Sequence, residues 1–357
     1  VNPAFWSAKR VLVTGHTGFK GGWLAIWLNR LGAQVSGFAL PEPSAASVFH
    51  AAKIDRDVAT TYGDIRNLEQ FRDALRAAQP EVVFHLAAQS LVRPSYEDPV
   101  GTYSTNVMGV VHVLEAVRTC ESVRAVVIVT SDKCYQNQEW SWGYRENEPM
   151  GGFDPYSSSK GCAELVAAAF RSSYFHPESF KDHGVGIATA RAGNVIGGGD
   201  WAKDRLIPDF MRSMIEAKEL LVRSPDAVRP WQHVLEPLSG YVELAEQLIV
   251  SGPAVCEAWN FGPHDHDARP VAWLVAQLTR LWGENARWRI DAAPHPHEAH
   301  YLKLDISKAR ARLHWSPRWA LLEALEKVVD WYRAQRDGHD MRNLCLAQIE
   351  AYERAGV

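Results

Sequence analysis

The sequence predicts an α/β chain: a doubly wound parallel sheet with a smaller, mainly helical C-terminal lobe. Three observations carry this. Short apolar β-rich runs alternate with longer helical patterns over the first 190 residues, a glycine-rich turn joins the first strand to the first helix, and beyond about residue 190 prolines and helical periodicity take over. Continuous rather than alternating apolar strands are what a parallel sheet covered on both faces requires, and the spacing reads as repeated βαβ units.

In order, Val11-Leu12-Val13-Thr14 is the first strand, followed by the turn and a helix over 23–31. Further strands are expected at 34–40, 58–62, 81–86 and 124–130, with helices over 68–78 and 107–118. The second half opens with the loop Gly197-Gly198-Gly199-Asp200-Trp201, carries Pro208, Pro225, Pro230 and Pro237, and predicts helices over 242–249, 271–281 and 321–336. The tail from Gly338 is polar but helical in pattern. Residues 1–190 form one unit, with segments near 233–262 returning to it, and 191–357 are mainly a second lobe.

The length, 357 residues, fits about two domains at roughly 150 residues each. Thirty-eight basic against 42 acidic residues, a net charge of -4, give no global field for nucleic acid or an anionic membrane. No stretch reaches the roughly 18 apolar residues of a membrane span, and the opening Val1-Asn2-Pro3-Ala4-Phe5-Trp6 lacks the pattern of a signal peptide. Cys120, Cys134, Cys162, Cys256 and Cys345 are scattered without a C-x-x-C pair, so free thiols and a cytoplasmic address are expected. Nine of the 14 tryptophans follow residue 190, most of them expected in the core and some available to pack a flat ligand.

Gly15-His16-Thr17-Gly18-Phe19-Lys20-Gly21 has the composition of a phosphate-cradling turn, where bare backbone N–H groups and a helix N-terminus meet a pyrophosphate. Its G-x-x-G-x-x-G spacing differs from G-x-G-x-x-G. The second strand ends Ser36-Gly37-Phe38-Ala39-Leu40-Pro41 without an acidic residue or an arginine, which leaves NAD and NADP both open. Asp154-Pro155 reads as an N-cap and first turn, which sets Tyr156 and Lys160 four apart on one helical face. A nearby ammonium favours phenolate, lowering the tyrosine towards a working base. Ser131, Asp132 and Lys133 follow a strand, at the end where parallel sheets collect their ligands.

With His85-Leu86-Ala87-Ala88, Thr105-Asn106, Thr130-Ser131-Asp132-Lys133-Cys134-Tyr135, Arg191-Ala192-Gly193-Asn194 and Arg229-Pro230-Trp231-Gln232-His233-Val234, the chain resembles the extended short-chain dehydrogenase/reductases. Within them it is similar to the nucleotide-sugar 4,6-dehydratases, over roughly residues 8 to 335. The resemblance implies a Rossmann-type sheet and NAD. Gly15, Thr17, Gly18, Phe19, Lys20 and Gly21 would surround the pyrophosphate, and Asp64 and Ile65 would lie near the adenine. Leu86, Ala87, Ala88 and Thr130 would line the groove, and Lys160 would hold the nicotinamide ribose.

The implied reaction is an internal redox cycle on a CDP-sugar, serving deoxysugar and O-antigen-type polysaccharide biosynthesis. Tyr156 takes the 4-hydroxyl proton as hydride leaves C4, water departs across C5 and C6, and hydride returns to C6. Ser131 would bond the O4 region and Asp132 would protonate the departing hydroxyl. Lys133 stands where related enzymes place a glutamate. It is either the C5 base or a cation that stabilises the enolate. Gln89, Asn106, Arg191, Asn194, Asp200, Trp201, Arg205, Arg229, Trp231, His300 and Tyr301 are the implied substrate contacts. Arg229 falls to the diphosphate, Arg205 and Asn194 to diphosphate or sugar, and Trp201 and Trp231 to base stacking or to packing.

Family members pair through a four-helix bundle, for which 107–118 and 162–172 are candidates, so a homodimer or higher homo-oligomer is expected. Neither a nucleic-acid nor a membrane partner is expected. His264-Asp265-His266-Asp267 and His295-Pro296-His297-Glu298 read as polar loops rather than metal sites. Two alternatives stand: a nucleotide-sugar 4-epimerase or a dehydratase of another nucleotide-sugar, and a non-catalytic NAD sensor. Asp132-Lys133 favours dehydration, and a sensor would lack the tyrosine or the lysine.

Overall fold

The computed structural model describes residues 1–42, 44–283, 286–291, 293 and 300–356. Seven strands form its centre: β1 (Arg10–Thr14), β2 (Gln34–Ala39), β3 (Ala59–Tyr62), β4 (Val82–His85), β5 (Ala125–Val129), β6 (Gly186–Arg191) and β7 (Ala258–Asn260). Their spatial order is β7-β6-β5-β4-β1-β2-β3, every neighbouring pair parallel. The order reverses between β1 and β4, which opens a crevice at the carboxyl ends of these strands.

Both faces of the sheet are covered, which is why its strands read as unbroken apolar runs. Leu12, Val83, Val126, Ile128 and Ile187 belong to one core, shared with the helices Leu68–Ala78, Gly109–Val117 and Pro155–Ser173. Val11, Val13, Val82, Phe84, Val127 and Ala188 belong to the other, which continues without a break into the C-terminal half. We number the helices α1 (Phe19–Arg30), α2 (Leu68–Ala78), α3 (Gly109–Val117), α4 (Pro155–Ser173), α5 (Leu206–Ile215), α6 (Leu235–Val250), α7 (Val271–Trp282), α8 (Leu321–Arg336) and α9 (Met341–Arg354).

Three boundaries differ from the sequence reading. Helix α1 starts at Phe19 rather than at residue 23, because its glycines serve close approach and do not break the helix: a Cβ on Gly21 would sit 2.2 Å from the Gly15 carbonyl oxygen. Helix α6 starts at Leu235 rather than at 242, with Pro237 in the first turn, where no intrahelical N–H is needed. A π-helical stretch, Ser104–Met108, precedes α3.

Helix α6 packs against β5 and β6, and β7 pairs with β6 at the edge of the sheet. The polar tail folds as α9 and packs on α1 and α8. Glu353 accepts there from Trp27 Nε1 at 2.9 Å, and Met341, Cys345, Ile349 and Tyr352 are buried. Besides α5, α7 and α8, the C-terminal half carries three two-stranded pieces, among them Val195–Ile196 with Gln232–His233. Of the nine late tryptophans, Trp231, Trp259, Trp282, Trp315, Trp319 and Trp331 are buried, and Trp201, Trp273 and Trp288 pack against the same core. Among the described residues no helix is long and apolar enough to cross a membrane.

Candidate active site

At the carboxyl ends of β1, β4 and β5 the crevice widens into a cavity of about 730 Å3. One end is made of backbone. Gly15 adopts φ +74°, and a Cβ there would lie 2.8 Å from the Ala87 nitrogen, so glycine alone lets the turn after β1 pass over the turn after β4. Gly18 precedes the first helical residue of α1 without a side-chain cap, leaving the first N–H groups of that helix for a ligand. Gly15, Thr17, Gly18, Phe19, Lys20 and Gly21 all line the cavity, as do Asp64, Ile65, Leu86, Ala87, Ala88 and Thr130. The Thr17 hydroxyl is already committed to the Leu40 carbonyl at 2.9 Å. These groups fit a dinucleotide: bare backbone at the diphosphate position and a helix N-terminus behind it.

The reactive side chains collect where β5 ends. Asp154 caps α4, its Oδ1 accepting from the Ser157 N–H at 2.9 Å and its Oδ2 from the Ser157 hydroxyl at 2.6 Å. Tyr156 and Lys160 therefore project from the first turns of α4 into the cavity. The sequence expects Lys160 to depress the phenol. Instead, burial pushes Tyr156 up to about 12, opposed by a hydrogen bond with Ser131. Burial also draws Lys160 down to about 8, with Glu164 acting against it. Ser131 donates to Asp132 Oδ1 at 3.0 Å and accepts from the Lys133 N–H at 3.2 Å. Asp132 is buried, its Oδ2 has no hydrogen-bond partner, and burial raises its pKa against Lys133, Ser131, Arg229 and Lys20. A Cβ on Gly193 would come within 1.7 Å of that Oδ2, so a side chain here would displace the carboxyl.

The other end of the cavity is made of side chains from distant segments. Asn194, Asp200, Arg205, Arg229, Trp231 and Gln89 line it. Arg205 donates to Asp200 Oδ2 at 2.9 Å and to the Ser90 hydroxyl at 2.8 Å, bridging the two halves of the chain. Trp231 donates its indole N–H to the Arg269 carbonyl at 3.0 Å and keeps its ring at the wall.

Five expected contacts are not part of this wall among the described residues. Asn106 is buried and spent internally: its Oδ1 accepts from Gln89 N–H at 2.9 Å, and its Nδ2 donates to the Gln89 carbonyl at 2.9 Å and Ser159 Oγ at 2.8 Å. Arg191 donates to Glu164 Oε2 at 2.7 Å, Tyr135 Oη at 2.8 Å and the Glu146 carbonyl at 3.0 Å, and with Glu146 and Glu164 it lines a separate pocket. Trp201 stacks edge-on against Tyr332. His300 is exposed, and Tyr301 pairs with Val228 while its ring underlies Lys303. Among the described residues no three His, Cys, Asp or Glu side chains gather as metal ligands. His264 and His266 stack at 5.5 Å, and His295-Pro296-His297-Glu298 lies outside the described residues.

The family model described as GDP-mannose 4,6 dehydratase matches residues 12–328, and a relative in Salmonella typhimurium, CDP-glucose 4,6-dehydratase, is 55% identical over 99% of each chain. The chain belongs to this dehydratase family. A dTDP-glucose 4,6-dehydratase of Xanthomonas campestris is 26% identical over 90% of this chain and 92% of the relative. Among solved structures, dTDP-glucose 4,6-dehydratase from Bacillus anthracis in complex with NAD has a TM-score of 0.76 at 22% identity, covering 94% of this chain and all of that one. A UDP-glucose 4-epimerase from Thermotoga maritima has 0.74 at 21%, covering 91% and 99%. At such identities the structures share the fold, which dehydratases and epimerases have in common.

In this member of the dehydratase family, sequence reasoning missed several groups. Glu164, one turn beyond Lys160, accepts from Thr189 Oγ1 and Arg191 at 2.7 Å each, and from Thr130 Oγ1. The four-residue spacing after Lys160 is the signal that could have found it. Arg93 and Arg223, both on Asp204, line the cavity but carry no motif. Lys20, which the sequence already places in the pyrophosphate turn, reaches past it towards the Tyr241 hydroxyl at 3.5 Å and is drawn down to about 7 by burial, Arg205 and Lys160.

Proposed function

We propose that the chain converts CDP-D-glucose to CDP-4-dehydro-6-deoxy-D-glucose with NAD, a step of deoxysugar biosynthesis. One observation carries dehydration over epimerisation: a buried carboxyl raised towards its acid form, Asp132, stands beside Ser131 and Tyr156 in one cavity. An epimerase has no use for such an acid. The 55% identity to a CDP-glucose 4,6-dehydratase supports the substrate.

NAD, when bound, accepts hydride from C4, returns it to C6, and brings a positive charge that favours phenolate. Gly15, Thr17, Gly18, Phe19, Lys20 and Gly21 hold its diphosphate, and Leu86, Ala87, Ala88 and Thr130 line its groove. Asp64 pairs with Arg66 through contacts of 2.6 to 3.0 Å, so that guanidinium offers no free fork for a 2′-phosphate, which supports NAD over NADP. Lys160 orients the ribose. Tyr156 accepts the O4 proton with Ser131 on the O4 region, and Asp132 protonates the leaving 6-hydroxyl. Lys133, half-buried at the wall, removes the C5 proton. Arg229 binds the diphosphate, while Arg205, Asn194, Asp200 and Gln89 engage diphosphate and sugar, and Trp231 packs the base.

Residues 1–190 with the returning segments serve the cofactor, and most of the remainder serves the nucleotide-sugar. A homodimer forms through the adjacent α3 and α4, which with the preceding π-helical stretch leave Met108 and Leu165 exposed. The five free thiols support a cytoplasmic location.

Incubation with CDP-, dTDP-, UDP- and GDP-glucose should give the alkali-sensitive 4-keto chromophore with the CDP-sugar foremost. A 4-epimer without ketone would overturn the assignment. For Lys133, the substitution Lys133→Ala should abolish exchange of C5 deuterium with solvent while leaving C4 oxidation in place. Unchanged exchange removes it from the base role.

A further inference from the structure

Glu164 is a buried carboxylate that the proposed chemistry does not use. It stands on α4 one helical turn beyond Lys160 and does not line the cavity. A carboxylate that served only to neutralise Arg191 would take its guanidinium as a fork, both oxygens on one partner. Here the hydrogen bonds of the two oxygens part. Oε2 accepts from Arg191 at 2.7 Å and from the Thr189 hydroxyl at 2.7 Å, whereas Oε1 accepts from the Thr130 hydroxyl. Arg191 sends its other terminal nitrogen to the Tyr135 hydroxyl and the Glu146 carbonyl. Glu164, Thr130, Thr189 and Arg191 are all buried. One carboxylate thereby ties α4 to β6 and to the residue that follows β5.

The same end of β5 is where Lys160 is held. Its Nζ donates to the Val129 carbonyl at 3.4 Å, next in the chain to Thr130, whose own N–H donates to the Ala190 carbonyl at 2.9 Å. Lys160 and Glu164 therefore grip neighbouring residues of one strand from successive turns of one helix. The grip of Lys160 alone is long for a hydrogen bond. That of Glu164 is charge-assisted and buried, so it sets the spacing of helix and strand. Burial works against the Lys160 ammonium, and the Glu164 carboxylate supports it.

Under the proposed function, on which this rests, Lys160 holds the nicotinamide ribose and Thr130 lines the groove. We propose that Glu164 is a positioning residue for NAD: without touching the cofactor, its carboxylate fixes the Lys160 ammonium against Val129 and Thr130, where the ribose is held. Arg191 and Thr189 hold the carboxylate in turn. Arg191 thus serves the cofactor through Glu164 rather than the substrate directly.

Glu164→Gln keeps the size of the side chain and removes its charge. Calorimetric titration of the full chain with NAD, without substrate, should show the dissociation constant raised about 10-fold, as one lost charge-assisted hydrogen bond predicts. KM for CDP-D-glucose at saturating NAD should stay within about 2-fold of wild type, the split expected of an interaction confined to the cofactor. In a Lys160→Ala background the same substitution should add less than about 2-fold, since a residue that acts through another loses its effect when that one is gone. An NAD constant unchanged by Glu164→Gln, or an equal rise in both backgrounds, overturns the positioning role. So does a KM that rises with the NAD constant, the mark of a general loosening. Should Glu164→Gln fail to fold with Arg191 unpaired, Thr189→Val decides, because it removes one bond from Oε2 and keeps the ion pair. It should raise the NAD constant about 3-fold, with Thr189→Ser at the wild-type value, and no rise overturns the role. A wild-type chain that binds NAD yet makes no ketone from any nucleotide-sugar overturns the dehydratase reading instead, and leaves the NAD titrations to settle Glu164.

Discussion

The two ends of the cavity are built of different material. The dinucleotide end is backbone: Gly15 in a left-handed turn, Gly21 pressed on the Gly15 carbonyl, and a helix N-terminus with its N–H groups free of side chains. The opposite end is side chain: Arg205, Arg229, Asp200, Asn194 and Trp231, brought in from separate segments, with Arg205 held on Asp200. Backbone recognition is indifferent to what a ligand carries beyond its diphosphate, whereas side-chain recognition distinguishes one ligand from another. The reactive groups on Ser131, Asp132, Tyr156 and Lys160 occupy the seam, where neither end alone determines the chemistry.

Removing the seam should cost most. Tyr156→Phe is expected to lower kcat by about 100- to 10,000-fold with NAD affinity little changed, as steady-state kinetics and calorimetric titration would report. A loss of NAD binding instead would show that the phenol belongs to the dinucleotide end.

Gly21→Ala attacks that end alone. Its Cβ would meet the Gly15 carbonyl oxygen at 2.2 Å, and backbone cannot yield as a side-chain tip can. NAD affinity should fall by about 100-fold, or about 3 kcal/mol. Arg205→Ala attacks the other end. A hydrogen bond to a charged group contributes about 1.5–3 kcal/mol, so KM for the CDP-sugar should rise at least about 10-fold while the NAD dissociation constant stays put. If either variant moved both constants together, the division between the ends would fail.

The smallest effect on the cavity is expected from Glu236→Gln, in α6 beneath it. Glu236 accepts from the Trp319 N–H at 2.8 Å and the Tyr352 hydroxyl at 2.7 Å, and burial raises its pKa to about 7. Because the folded chain holds this proton more tightly than the unfolded one, stability falls as pH rises from the ordinary glutamate range through about 7. The loss is at most ~3 kcal/mol. Thermal melts should show the variant gaining on wild type as pH rises from about 5 to about 8, with turnover unaffected. A constant gap across that range would place the proton elsewhere.

Much of this was legible in the sequence where the constraint is local. Asp154, Pro155, Tyr156 and Lys160 lie within seven positions, and helical spacing alone sets them on one face. The turn from Gly15 to Gly21 is likewise read from its own residues, and unbroken apolar strands announce a sheet covered on both sides. Partners distant in sequence are not legible in this way. Arg191 looks like any ligand-binding arginine until its partners, 27 and 56 positions away, are seen to consume it. Asn106 is spent on Gln89 and Ser159 in the same way. Arg93 and Arg223 both meet Asp204 at the wall, from positions far apart in the chain. The tyrosine environment was misjudged for a related reason: proximity to Lys160 is a spacing, but burial of both groups is a property of the whole fold, and burial decides.

On the proposed function, one cavity oxidises C4, dehydrates across C5 and C6, and returns the same hydride. The most direct measurement uses CDP-D-glucose deuterated at C4, with catalytic NAD and the wild-type chain. The account predicts CDP-4-dehydro-6-deoxy-D-glucose carrying that deuterium at C6, with no net accumulation of NADH. A 4-epimer that keeps its oxygen at C6, or a ketone whose C6 carries no deuterium, would contradict it.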